Sequence, residues 1–310
     1  MTGHVRTVLG DIPGESLGAT DYHEHVFQAS PLLAGDELDD EDASATEVGE
    51  LRQCGFASLV DATPIGLGRR PTALARVSLD TGVRIVASTG AHRDAHYATG
   101  HPLLDLSEQT LVEMFIRDIE EGMPSNDAAS PRTDVRAGLI KTGIDYWSIS
   151  LFERRVLSAA AATHARTGAP VMVHLEHGSA AHEVLDVLGE GGVPPSAIVL
   201  AHVDRNLDPG LHVDLAARGA YLGFDGWARH RDAPDSQLID TLAAVSGGGA
   251  TERILIGGDV ARRNRYRAYG GMPGLRYLGD RVLPRLKDRI GADALECILS
   301  VNPARVLGRF

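Results

Sequence analysis

Two histidines stand two residues apart in the stretch DYHEHVF, as His23 and His25. Four more residues of unusual type close apolar runs elsewhere. Lys141 ends LIK, His174 ends VMVH, His202 ends VLAH, and Asp259 follows ILIGG. An imidazole, amine or carboxylate in a buried run is costly without a partner. Neutral imidazole nitrogens and carboxylate oxygens are also the atoms that hold divalent zinc, manganese or cobalt. In a strand, residues i and i+2 share a face. His23 and His25 therefore point together, and Glu24 points away, where it forms a salt bridge or steadies a ligand. Taken singly, each residue has a plain reading. A His-x-His pair arises easily among 13 histidines. His174 or His202 alone suits a hydrogen-bonded core position, Lys141 a salt-bridged or snorkelling lysine, and Asp259 a helix cap. Those plain readings must all hold at once, whereas one convergent site accounts for all six.

The elements that would position them alternate regularly. GATDYHEHVF, ASLVDATP, VRIVASTG, AGLIKTG, PVMVHLE, AIVLAHVD, GAYLGFD and RILIGGD have strand character, and most are continuously apolar, as parallel strands covered on both sides should be. Helical spacing fills the intervals at 44–54, 72–79, 106–121, 151–166, 180–188, 211–218 and 237–245, with more helix across 275–307. Eight strands alternating with helices predict an α/β fold, a (β/α)₈ barrel over residues 1–310 as one domain. A doubly wound open sheet is the alternative, but no GxGxxG follows the first strand. The acidic stretch 35–47, GDELDDEDASATE, reads as a solvated loop leading into the first helix. The six unusual residues fall at the carboxyl ends of strands one, four, five, six and eight, where a barrel places its active site.

Composition narrows the partners. Over 310 residues the chain is 43% hydrophobic and 23% charged, which is globular, and its formal net charge of −12 argues against nucleic acid and anionic membrane surfaces. Two cysteines, Cys54 and Cys297, predict no disulfide framework. The stretch MTGHVRTVLGDIPGE has no apolar signal segment, and no run approaches 18 apolar residues, so a cytoplasmic enzyme acting on a small molecule is expected.

The ordered set LGATDYHEHVF, VASTG, LIKTG, PVMVHLE, LAHVD, IGGDVARR and ILSVNPARVLGRF resembles the phosphotriesterase family of the amidohydrolase superfamily over nearly the whole chain. The resemblance implies a barrel with two divalent metal ions at its mouth, zinc first, cobalt or manganese otherwise, and a homodimer. Carried over residue by residue, His23, His25 and Asp259 would hold the more buried ion, and His174 and His202 the more exposed one. Lys141 would be carboxylated and bridge both. A protonated ammonium cannot ligate a cation, but a buried amine loses its proton and can take up CO₂. Asp259 would also take or relay the proton during attack. Such a pair of ions would acidify water and polarise a carbonyl or phosphoryl oxygen.

The loops after the strands set specificity. The lactonase branch of the family carries a tyrosine after the third-strand TG and an arginine after the seventh-strand Asp. This chain has His92 and Gly226 there. It offers instead His92, Arg93, His96 and Tyr97 on one loop and Trp227, Arg229, His230 and Arg231 on another. Four arginines and two tyrosines crowd between Arg262 and Tyr269. As substrate contacts we expect His92, Trp227, Arg229, Arg262 and Tyr266. The arginine cluster reads equally as an anion-binding rim or as a basic loop paired to the acidic body. The expected activity is hydrolysis of a polar or anionic lactone, with phosphotriester cleavage as a side activity. N-acyl amino acid or dipeptide hydrolysis is the alternative, and a non-catalytic ligand-binding barrel the alternative of another class.

Overall fold

The protein, seen in a computed structural model, is described for residues 3–125 and 130–310. An antiparallel hairpin comes first, β1 (His4–Thr7) and β2 (Gly10–Pro13). Eight parallel strands follow: β3 (Thr20–Glu24), β4 (Ser58–Asp61), β5 (Arg84–Gly90), β6 (Leu139–Ile144), β7 (Val171–Leu175), β8 (Ile198–Ala201), β9 (Tyr221–Phe224) and β10 (Ile254–Ile256). They neighbour one another in chain order from β3 to β10. Every apolar run read as a strand is one. The hairpin was not foreseen, because HVRT and GDIP carry no continuous apolar run.

Helices lie between the strands: α1 (Glu41–Gln53), α2 (Pro71–Thr81), α3 (Glu108–Glu120), α4 (Leu151–Thr167), α5 (Ala181–Glu190), α6 (Pro209–Ala217) and α7 (Asp235–Val245), then α8 (Leu283–Ile290), α9 (Ala292–Glu296) and α10 (Asn302–Leu307). Among the described residues no helix is long and apolar enough to cross a membrane. The acidic stretch 35–47 is not a solvated loop throughout. Asp40 caps α1 by accepting from the Ala43 amide, and Glu41 and Asp42 occupy its first turn, where carboxylates suit the helix dipole. Glu47 is fully buried and accepts from the amides of Ala268 and Leu275, anchoring the long segment after β10.

The barrel nearly closes where β10 meets β3. The Asp259 amide donates to the His23 carbonyl at 2.8 Å. Gly257 permits this approach, since a Cβ there would lie 2.8 Å from the His23 nitrogen. Two apolar layers hold the barrel. Val60, Val86, Leu139, Met172, Val199, Tyr221 and Leu255 fill its interior together with Val5 of the hairpin, and a larger cluster packs the helices on the outside. The hairpin sits at the amino ends of the strands, where the Val8 amide donates to the Ile85 carbonyl at the start of β5. Alternation along β6 then carries Lys141 inward with Leu139, and along β7 it carries His174 inward with Met172. β3 is less regular. Its register against β4 shifts between Asp21 and Glu24, and Tyr22 and His23 both reach the same inward group, Asp225.

Candidate metal centre and substrate cavity

His23, His25, His174, His202 and Asp259 line one cavity of about 180 Å³ at the carboxyl ends of the strands. Lys141 lies below them with 0% exposure. The donors form two adjacent groups. His23 Nε2 and His25 Nε2 each lie 3.6 Å from Asp259 Oδ1. His202 Nε2 and His174 Nδ1 face each other at 2.8 Å. The His23 and His202 rings are 5.1 Å apart, and Lys141 Nζ is 3.3 Å from His23 Nε2. His202 and Asp259 both adopt left-handed backbone, at φ 66° and 46°. That conformation costs about 1–2 kcal/mol for a residue with a Cβ, and strain of this kind collects at functional positions.

Each histidine has its other ring nitrogen held from behind. Asp225 takes His202 Nδ1 at 2.6 Å and His23 Nδ1 at 3.1 Å. Thr63 Oγ1 meets His25 Nδ1 at 2.8 Å, and Glu176 takes His174 Nε2 at 2.8 Å. An ionised carboxylate only accepts, so it fixes the ring proton on the nitrogen facing it and leaves the other nitrogen bare toward the cavity. Histidines that ligate metals are held in this way. His23, His202 and Asp225 also lie close enough to be read as a ligand trio, but Asp225 meets the rear nitrogens and acts as the support.

The protonation states agree. Burial and the charge of Lys141 push His23 down to about 3. Burial, with neighbouring imidazoles, takes His174 well below its usual range, and burial also lowers His202. Although burial opposes it, His202 and His23 hold the Asp225 carboxyl well below its ordinary value. Burial lowers Lys141 to about 8, and among the described residues it makes no ion pair. Bare imidazoles, ionised carboxylates and a buried amine that loses its proton easily are what a pair of divalent cations requires. The residues present fit the group.

The remaining wall is basic. Among the described residues, Arg93, Arg205, Arg229, Arg262 and Arg265 line the cavity against two carboxylates, Glu176 and Asp259. Arg205 reaches Asp259 Oδ2 at 3.1 Å, and Arg229 grips the carbonyl and Oδ2 of the same residue. Among the described residues, Arg93, Arg205 and Arg229 each keep a buried Nε without a partner, and Arg265 an unpartnered Nη1. Burial and Arg229 lower Arg265 to about 10.

Of the expected substrate contacts, His92, Arg229 and Arg262 line the cavity, but Trp227 and Tyr266 do not. Trp227 is buried beneath its loop, its indole donating to the Phe224 carbonyl. Tyr266 is wholly buried and donates to the His25 carbonyl at 2.7 Å. Both are apolar ballast with one satisfied polar atom. Tyr97 is likewise structural, donating to the Ile65 carbonyl. Glu24 forms no salt bridge among the described residues. It accepts from the Val260 amide at 2.9 Å and so pins the loop bearing Asp259. Gly226, where the lactonase branch carries an arginine, is closely packed: Asp204 accepts from its amide, and a Cβ would lie 3.0 Å from that carboxylate. Arg229 brings a guanidinium to Asp259 instead. Sequence reading missed Asp225, Thr63, Glu176 and Arg205. Asp225 ends GFD at a strand terminus, the same signal that marked Asp259.

A parallel barrel with a histidine–carboxylate mouth defines a class of hydrolases, and comparison with known proteins agrees. A sequence profile of the Phosphotriesterase family matches residues 3–307. A "Phospho-furanose lactonase" of Mycoplasmopsis synoviae (strain 53) is 33% identical, over 97% of this chain and 91% of its own. An "N-acetyltaurine hydrolase" of Danio rerio is 28% identical over 99% and 98%. The crystal structure of the lactonase Lmo2620 from Listeria monocytogenes superposes with a TM-score of 0.92 at 31% identity, covering 99% of this chain and 100% of that one. The chain belongs to the phosphotriesterase family and is an ester-hydrolysing enzyme.

Proposed function

We propose that the protein is a binuclear-metal lactonase whose substrate carries a phosphate or similar anion. The observation that carries this reading is the arginine wall. Five arginines, set against two carboxylates among the described residues, line the cavity beside the histidines. Guanidinium groups in excess of carboxylates favour an anion, and a tetrahedral oxyanion accepts from several donors at once. The name of the Mycoplasmopsis relative points the same way. His23, His25 and Asp259 would hold one cation, His174 and His202 the other, with a carboxylated Lys141 between them. Cations bound there supply water activation and polarisation of the lactone carbonyl. Asp259, at the junction of histidines and arginines, takes the proton of the attacking water, while the arginines orient the substrate by its anion.

The test is hydrolysis by zinc-, cobalt- and manganese-loaded enzyme of a phosphorylated furanose lactone, the same lactone without phosphate, an aryl phosphotriester and N-acyl amino acids. The phosphorylated lactone should be preferred over its neutral counterpart by on the order of 10²-fold in kcat/KM, as about 3 kcal/mol of charge-assisted binding allows. Equal rates for the two lactones, or metal content far below two equivalents, would overturn the reading. A second reading, hydrolysis of an N-acyl compound bearing an anion, is favoured by the N-acetyltaurine relative, since the same arginines suit a sulfonate. Faster turnover of N-acetyltaurine than of any lactone would select it.

A further inference from the structure

The four histidines are not supported alike. His23 and His202 lean on Asp225, which is wholly enclosed, and His25 leans on the buried Thr63. His174 leans on Glu176, which lies in the cavity wall. Arg93 Nη2 holds the same Glu176 oxygen at 3.0 Å. Arg93 Nη1 in turn meets Asp145 Oδ1 at 3.2 Å, at the outer edge of the mouth. The chain Asp145–Arg93–Glu176–His174 thus runs from solvent to one donor group only. The backbone beside it is closely packed: a Cβ at Gly143 would lie 3.2 Å from the Arg93 backbone nitrogen and 3.3 Å from His174 Cβ.

We propose that Glu176 is a positioning residue that governs cation occupancy at the His174–His202 site and leaves the His23–His25–Asp259 site untouched. The proposal rests on the binuclear reading above. Without Glu176 the Nε2 proton of His174 has no acceptor, so the ring is free to change tautomer or rotate and withdraw Nδ1. Among the described residues no hydrogen bond or ion pair joins Glu176 to His23, His25 or Asp259. Asp225 differs, because it holds one histidine of each site. Loss of Glu176 should therefore unload one cation, and loss of Asp225 should loosen both. Outer hydrogen bonds of this kind change metal affinity by about 10–100-fold.

Zinc content after equilibration at buffered zinc, together with cobalt titrations followed by electronic absorption, separates these outcomes. Wild-type protein should bind two equivalents. Glu176→Ala should keep one at wild-type affinity and lose about 10–100-fold at the other. Glu176→Gln, which still offers a carbonyl oxygen to the ring, should fall between. Asp225→Asn should weaken both. Two equivalents bound by Glu176→Ala with an unchanged titration would overturn the proposal and leave the binuclear reading standing. So would parallel losses at both sites in Glu176→Ala or Glu176→Gln. A wild-type protein far below two equivalents would instead sink the reading itself. If Glu176→Ala does not fold, Glu176→Gln decides by the same criterion.

Discussion

Arg265 separates substrate recognition from metal binding at the scale of one side chain. It lines the cavity, and its guanidinium donates to the Trp227 carbonyl at 3.1 Å. Arg265→Ala should cut kcat/KM for a phosphorylated lactone by about 10–100-fold, the loss of one charge-assisted bond. The neutral lactone and the bound zinc should change little, and a matching loss on the neutral lactone would refute the assignment. The arginine cluster read as either a rim or a surface loop is in fact both. Arg263 pairs with Asp39 and Arg267 with Glu50, half exposed, while Arg262 and Arg265 border the cavity. Residue type alone did not divide them, because both readings need the same charge. The histidines, Lys141 and Asp259 were legible because a costly group ending an apolar run demands a reason. Glu176 and Thr63 were not, since they follow ordinary loop chemistry until their partners are known.

Elements explain the two misplaced aromatics. Trp227 and Tyr266 lie in loops over the mouth, and sequence distance from a strand end does not say whether a ring faces the cavity or the helices. Both pack inward and tie their loops to strand ends. Trp227→Ala should therefore destabilise the protein by about 3–5 kcal/mol, as large-to-small changes in cores do. Tyr266→Phe should cost about 1–2 kcal/mol through the orphaned His25 carbonyl. Urea denaturation measures both, and an altered KM for Trp227→Phe at unchanged stability would return that residue to the substrate. The strand order was readable because parallel strands covered on both faces leave continuous apolar runs. The bulged register of β3 and the short hairpin were not, since neither leaves a periodic trace.

Across the whole molecule, charge is distributed against its own average. The net charge is −12, yet five arginines face two carboxylates around the cavity. The proposed anionic lactone would be repelled at long range and captured at short range, with salt screening both. A neutral ester should therefore be insensitive to ionic strength, whereas kcat/KM for an anionic lactone should vary with it; stopped assays across a salt series check this. Removing the cations with a chelator should lower the thermal midpoint. Ligand present at about 100 times its dissociation constant stabilises by about 2.7 kcal/mol, which for a chain of this size corresponds to roughly 4 °C. An unchanged midpoint would mean that the folded state does not hold them. The hairpin has its own consequence. With Val5 plugging the amino end of the barrel, the mouth is both entrance and exit. In the proposed reaction, opening a lactone adds a carboxylate, so the acid would depart through the same guanidinium-lined doorway one charge richer than the ester that entered. Progress curves should slow as that acid accumulates, well before the ester is spent.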